Sequence, residues 1–154
     1  MRKYLFPMIS SLFIGLFLAF FVIKQYENLD GLAVSSNAKE LYYIQRGVYS
    51  DLENMKNNMK DFEYYIYNTE DNMFYTYIGI TQDKDNALKI QNYYKSLGYD
   101  TYIKQKITDN QNFVSLLSKY DEILKGTNDN DSIKTICNQV INRYEEMVNN
   151  KNWY

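Results

Sequence analysis

At 154 residues, the chain has the length of one domain with an appendage rather than of two large domains. Its 17 basic and 19 acidic residues leave a net charge of −2, without the positive field that holds proteins nonspecifically on nucleic acid. Histidine is absent and Cys137 is the only cysteine, which excludes the common zinc sites, a Cys–His nucleophile pair and an internal disulfide; no metal or cofactor is expected.

In chain order, the first feature is apolar. From Leu5 to Ile23, nineteen residues carry no charge, about the length a helix needs to cross the hydrocarbon core of a membrane. Arg2 and Lys3 precede this run and favour a cytoplasmic N-terminus, which would put residue 24 onward outside the cell membrane. A cleaved signal peptide has the same basic start and apolar core. The length of the run, and the lack of a small-x-small site in Val22-Ile23-Lys24-Gln25-Tyr26, favour an uncleaved single-pass anchor over residues 1–23. Residues 24–39 are polar, contain Gly31, Ser35, Ser36 and Asn37, show no sustained period, and read as a linker.

The next segment, residues 40–108, repeats itself. An offset of 32 sets Tyr43, Gly47, Asp51 and Asn54 over Tyr75, Gly79, Asp83 and Asn86. Each copy has an alternating strand, a glycine, an acidic turn and a helical stretch. Leu52, Met55, Met59 and Phe62 share one side of the first helix; Ala87, Ile90, Tyr94 and Leu97 share one side of the second. Asp51 and Asp83 sit where an N-cap is favoured, and Gly98 is placed to stop the second helix. Further β-rich runs cover Glu63 to Asn68, Met73 to Thr81 and Tyr99 to Ile107, with a hairpin turn at Glu70-Asp71-Asn72. The expected order is βαββαβ, an α+β fold with a four-stranded antiparallel sheet and two helices on one face.

Alternation assigns side chains to the two faces. Ile44, Ile66, Ile78, Ile80 and Ile103 are expected under the helices. Tyr43, Gln45, Tyr65, Tyr67, Tyr75, Tyr77, Tyr102 and Lys104 then fall on the open face. Arg46 breaks the pattern, either by reaching the sheet rim along its aliphatic stem or through a bulge near Gly47.

The segments "YYIQRGVYSDLEN" and "FYTYIGITQDKDNA" resemble the two halves of the SPOR domain, a peptidoglycan-binding module of bacterial cell-envelope proteins. The likeness runs from Leu41 to Ile107, less than half of the chain. It implies a fold like that of RNA-recognition motifs and binding of glycan strands stripped of stem peptides, often at the division septum. It also implies contact through the first-strand glutamine, Gln45, and through the third strand from Met73 to Tyr77. The chain departs from many members at Arg46, and from some at Met73 and Phe74, where those carry tryptophan. Glycans present hydroxyls, acetamides and C–H faces, which suit an amide that donates and accepts and tyrosines that join an apolar ring to a hydroxyl. Against this stands the plain alternative that 17 tyrosines put some on any face and that Gln45 is a solvated strand position.

Residues 109–154 read as a helical hairpin. Phe113, Leu116, Leu117, Tyr120, Ile123 and Leu124 form one stripe; Ile133, Ile136, Cys137, Val140, Ile141, Tyr144, Met147 and Val148 form another. Gly126 to Asn130 separates them, with Asn130 or Asp131 as N-cap. Docking on the sheet domain is the favoured use of these stripes, and if they cover the open face its tyrosines become core; self-association or an envelope partner is the alternative. Cys137 reads as a small buried residue. RNA binding is disfavoured by the acidic pI and the absence of a basic aromatic motif. Glu53, Glu63, Glu70 and Asp71 are scattered over helix and turn positions and form no recognisable catalytic set. The sequence thus points to a non-catalytic, membrane-anchored envelope protein that binds glycan at sites of division or sporulation, with a non-glycan-binding adaptor as the rival.

Overall fold

The structure, a computed structural model, describes residues 38–149, with side chains through Met147. The expected anchor, and the linker up to residue 37, lie outside the described residues; among the described helices none is long and apolar enough to cross a membrane.

Two β-α-β units interleave. The first comprises β1 (Lys39–Tyr49), α1 (Leu52–Met59) and β2 (Ile66–Glu70); the second comprises β3 (Met73–Thr81), α2 (Lys84–Ser96) and β4 (Tyr102–Thr108). The strand order is β2-β3-β1-β4, with every neighbouring pair antiparallel. Helices α3 (Gln111–Gly126) and α4 (Asn130–Asn149) complete an α+β structure with a four-stranded antiparallel sheet and four helices.

Local chemistry sets the ends of these elements. Asp51 caps α1 by accepting from the Asn54 N–H at 2.7 Å, and Asp83 caps α2 by accepting from the Asp85 and Asn86 N–H groups at 2.9 and 3.2 Å. Asp71 and Asn72, at φ 51° and 59°, form the two-residue turn of the β2–β3 hairpin, a conformation these residue types tolerate. Gly98, at φ 85°, follows the C-cap of α2 as expected. The cap of α4 is Asp129, not Asn130 or Asp131: its carboxylate accepts from the Ser132 N–H at 2.8 Å and hydroxyl at 2.7 Å. β2 begins at Ile66 rather than Glu63, because the preceding chain folds back. The Phe62 ring packs 5.9 Å from that of Tyr94 and 4.9 Å from that of Tyr99.

On one face of the sheet lie α1 and α2, burying Met55, Met59, Ala87 and Ile90. Leu52 and Leu97, expected in those stripes, are exposed. A methyl group added at Gly79 would lie 3.2 Å from Ile44 Cγ1, 3.4 Å from Ile90 Cγ2 and 3.6 Å from Cys137 Sγ. That glycine therefore admits both α2 and α4 close to the sheet.

The opposite face, expected to be open, is partly roofed. Tyr144 of α4 meets the Tyr43 ring edge-on at 6.2 Å, and Phe113 of α3 meets Tyr144 at 5.1 Å. The physical cause is that β2 pairs only with Met73 to Tyr77, so β3 continues beyond it without a neighbour on that side. α4 packs along β3. Asn138 of α4 donates to Glu63 at 3.3 Å, just ahead of β2. The apolar stripes of α3 and α4 thus find their surface on the chain's own sheet, as Phe113, Leu117, Leu124, Ile133, Ile136, Val140 and Ile141 are buried.

α3 is fastened by a buried carboxylate. Asp121 accepts from the Thr81 hydroxyl, from the Gln82 N–H at 2.9 Å and from the Asn86 amide at 3.2 Å. Burial raises its carboxyl pKa above the ordinary aspartate value, although all three donors pull it down. Lys89 completes the junction by donating to the Leu124 and Thr127 carbonyls at 2.6 and 2.8 Å at the end of α3. Both Asp121 oxygens accept, so Asp121→Asn would turn an N–H₂ group toward a donor. The expected cost is about 1–2 kcal/mol, read as a lower urea midpoint at unchanged m-value; an unaltered midpoint would show that the second oxygen contributes nothing.

Candidate functional site

The sheet register determines which expected site residues meet. Ile44 pairs with Gly79, Gln45 with Tyr77, and Gly47 with Thr76, so Ile78 and Arg46 are each one residue extra in their strands. These are compensating bulges. The bulge at Arg46 confirms one of the two expectations for that residue, whose guanidinium lies 5.2 Å from the Tyr99 ring centroid. The bulge at Ile78 puts Tyr77 and Ile80 on the same face, that of Tyr43, because Ile80 pairs with Tyr43 and Tyr77 with Gln45. Ile80 is therefore not under α1 and α2 as expected, and neither is Ile66, which pairs with Tyr77. Ile44 and Ile103, which pair with each other, remain on the helix side.

Of the nine expected contact residues, the structure brings seven to one face. Gln45 stands between Tyr77 on β3 and Tyr102 on β4; Tyr43 pairs with Lys104; Tyr75 and Met73 continue the same side of β3. Tyr67 is the clear exception: it pairs with Thr76 and its ring meets Phe74 at 6.0 Å, which places it on the opposite face. Tyr65 precedes β2 and belongs to no strand.

Within the seven, accessibility divides the roles. Tyr43 and Tyr77 are 5% and 2% exposed, with rings 5.4 Å apart in an edge arrangement, and act as core. Burial first, then the neighbouring Tyr144 and Tyr77, pushes the Tyr43 hydroxyl well above the ordinary tyrosine pKa. Tyr102 is 61% exposed, Lys104 is exposed, and Tyr75 and Met73 are half-buried. Val48, which pairs with Tyr75, adds an exposed aliphatic surface. Gln45 is 5% exposed, and its Oε1 is buried with no hydrogen-bond partner among the described residues. It is thus not the solvated strand position that alternation allowed.

Lys106 is the residue that sequence reasoning missed. Its ammonium lies 4.7 Å from the Tyr77 ring centroid and 5.7 Å from that of Tyr43, and it meets Glu70 at 3.5 Å. In the amide orientation that satisfies both ends of Asn68, that side chain also accepts from Lys106 at 2.9 Å. Burial works against the charged amine, but Tyr77 and Glu70 outweigh it and hold the pKa above the ordinary lysine value. Lys106 follows Lys104 by two positions, so strand alternation alone could have placed it on this face.

Among the described residues, no group of three or more His, Cys, Asp or Glu side chains is placed to hold a metal ion. Cys137 is 2% exposed, and burial pushes its thiol pKa up to about 12. The native protein should therefore resist thiol reagents at pH 8 and react once unfolded; rapid labelling of the folded chain would contradict its placement. A second expectation concerns Gln45. Gln45→Met removes an unpartnered acceptor of similar shape and should preserve stability or raise it by about 1 kcal/mol in urea unfolding; a marked loss would mean that the amide is structurally paired.

No protein-family model, curated protein or solved structure matches the chain.

Proposed function

We propose that this is a non-catalytic, membrane-anchored cell-envelope protein whose sheet domain, of the type shared by SPOR modules and RNA-recognition motifs, binds peptidoglycan glycan strands freed of stem peptides. Its place of action would be a site of wall remodelling in division or sporulation, with residues 5–23 as the anchor. The observation that carries the proposal is the row Tyr102–Gln45–Tyr77 across β4, β1 and β3, in which a buried amide oxygen has no partner beside a well-exposed tyrosine. Buried acceptors are nearly always satisfied, so an unsatisfied one next to an exposed aromatic suits a ligand that brings hydroxyl donors and C–H faces. The βαββαβ order of elements around a four-stranded antiparallel sheet supports the proposal, since it is the arrangement expected of a fold like that of RNA-recognition motifs.

In this proposal Tyr102, Tyr75 and Met73 supply surface, Gln45 and Lys104 supply polar contacts, and Tyr43 and Tyr77 hold the platform from below. The adaptor alternative loses most of its surface, because the hairpin stripes are buried on the chain's own sheet; Ile123 is the large apolar residue of α3 that remains outward.

The test is cosedimentation of residues 37–154, a compact unit, with purified sacculi before and after an amidase removes stem peptides. Binding should rise on stripped glycan and weaken about five- to tenfold in Tyr102→Ala, the loss expected of a contact aromatic. Lys104→Ala should weaken it less. Failure of the folded fragment to bind either preparation would refute the proposal.

A further inference from the structure

The sheet face that carries Tyr102 and Tyr75 is charged as well as aromatic. Lys104 and Lys106 of β4 alternate with Tyr102 onto that side, and Lys39 of β1 joins them, because Lys39 pairs with Thr108 and Tyr43 with Lys104. Among the strand residues Glu70, which pairs with Met73, is the one carboxylate on the same side. The strand side chains there are therefore net positive, although the chain as a whole carries −2.

Of the three lysines, Lys106 is held in place. Its ammonium rests over the Tyr77 and Tyr43 rings at 4.7 and 5.7 Å, and the Asn68 amide oxygen accepts from it at 2.9 Å. Its carboxylate partner is held less closely. Lys106 meets Glu70 at 3.5 Å, whereas Lys125 meets Asp83 at 2.7 Å and Arg143 meets Glu146 at 2.8 Å. Glu70 is the last residue of an edge strand and its side chain is 58% exposed, so it loses little by turning into water. The Lys106 side chain is itself 28% exposed and can be reached. A cation fixed by two rings and an amide, with a loose and well-exposed counter-ion, is prepared to take a different carboxylate.

A glycan strand freed of stem peptides offers one. Hydrolysis of the amide between the stem peptide and the lactyl group of muramic acid leaves a carboxylate on the sugar, where the peptide-bearing strand has a neutral amide. We propose that Lys106 recognises this lactyl carboxylate, which takes the place of Glu70 at the ammonium, and that the exchange favours stripped glycan over peptide-bearing glycan. Lys39 and Lys104 add to the positive field that draws the strand in. This inference rests on the glycan binding proposed above and adds to it a contact that selects by charge.

The test is cosedimentation of the full-length protein, in mild detergent, with amidase-stripped sacculi whose carboxylates are either intact or converted to methylamides by a carbodiimide and methylamine. The unaltered protein should bind the carboxylate form about fivefold more tightly than the methylamide form, and Lys106→Met should bind the two alike. Glu70→Gln gives a result that misfolding cannot imitate. With the competing carboxylate gone, binding to the carboxylate form should tighten about twofold while binding to the methylamide form stays the same. Tyr102→Ala should weaken both and keep their ratio. Equal binding of the unaltered protein to the two forms would overturn the role of Lys106 and leave glycan binding standing; binding to neither form would refute glycan binding, and the role of Lys106 with it.

Discussion

Strand β1 is hydrogen-bonded along both edges and buried on both faces, and the other elements are arranged around that constraint. β3 and β4 occupy its edges. Ile44 packs beneath α2, while Leu41, Tyr43 and Gln45 project to the other side, and all four are nearly inaccessible. A strand so enclosed has no solvent side on which a polar residue is free of cost. Gln45 therefore needs explaining in a way that a glutamine on a half-exposed strand would not. An apolar residue there would avoid a desolvation penalty of roughly 1–3 kcal/mol. Retaining an amide at that cost is the pattern expected where local stability gives way to a contact.

Enclosure also shapes the aromatic content. Tyr77, Tyr43, Tyr144 and Phe113 form a chain of edge-on rings running from β3 through β1 to α4 and α3. Each such pair contributes about 0.5–1.5 kcal/mol beyond its buried area. Lys106 closes the sheet end of the chain by setting its ammonium against two of the rings while Glu70 balances the charge. These rings hold the hairpin to the sheet, and Asp121 holds it again from the side of α2. Two fastenings of different chemistry on opposite sides keep α3 and α4 from separating as a mobile appendage.

The parts of the structure that depend on local chemistry were legible in the sequence. Asp51, Asp83 and Gly98 act at helix ends as their types suggest, β3 spans Met73–Thr81 as expected, and Asp71-Asn72 makes the hairpin. What alternation could not resolve was a sheet covered on both faces. Isoleucine and tyrosine each serve as core there, so polarity no longer marks a side, and Ile66 and Ile80 lie on the face opposite to the one alternation gives them. The paired bulges deepened the difficulty. One extra residue on each strand leaves the overall register nearly intact while reversing parity between them. Arg46 exposed its bulge through its charge; Ile78, an isoleucine like its neighbours under the helices, gave no such sign. Tyr67 goes with Ile66: the two alternate, so the register that sets Ile66 beside Tyr77 sets Tyr67 beside Thr76 on the opposite face.

Coverage by α3 and α4 narrows the surface available to a ligand to the side of the sheet formed by β4 and the far end of β3. Two features there carry different weight. Lys104 on an edge strand has a sufficient explanation in solubility, since edge lysines keep strands of other copies from pairing. Tyr102 does not. An aromatic ring left largely in water on the same edge gains nothing for solubility, and its cross-strand neighbour is the one polar side chain of β1 held inside the sheet. Exposure of the ring and the unpartnered amide are separate observations that point to the same spot.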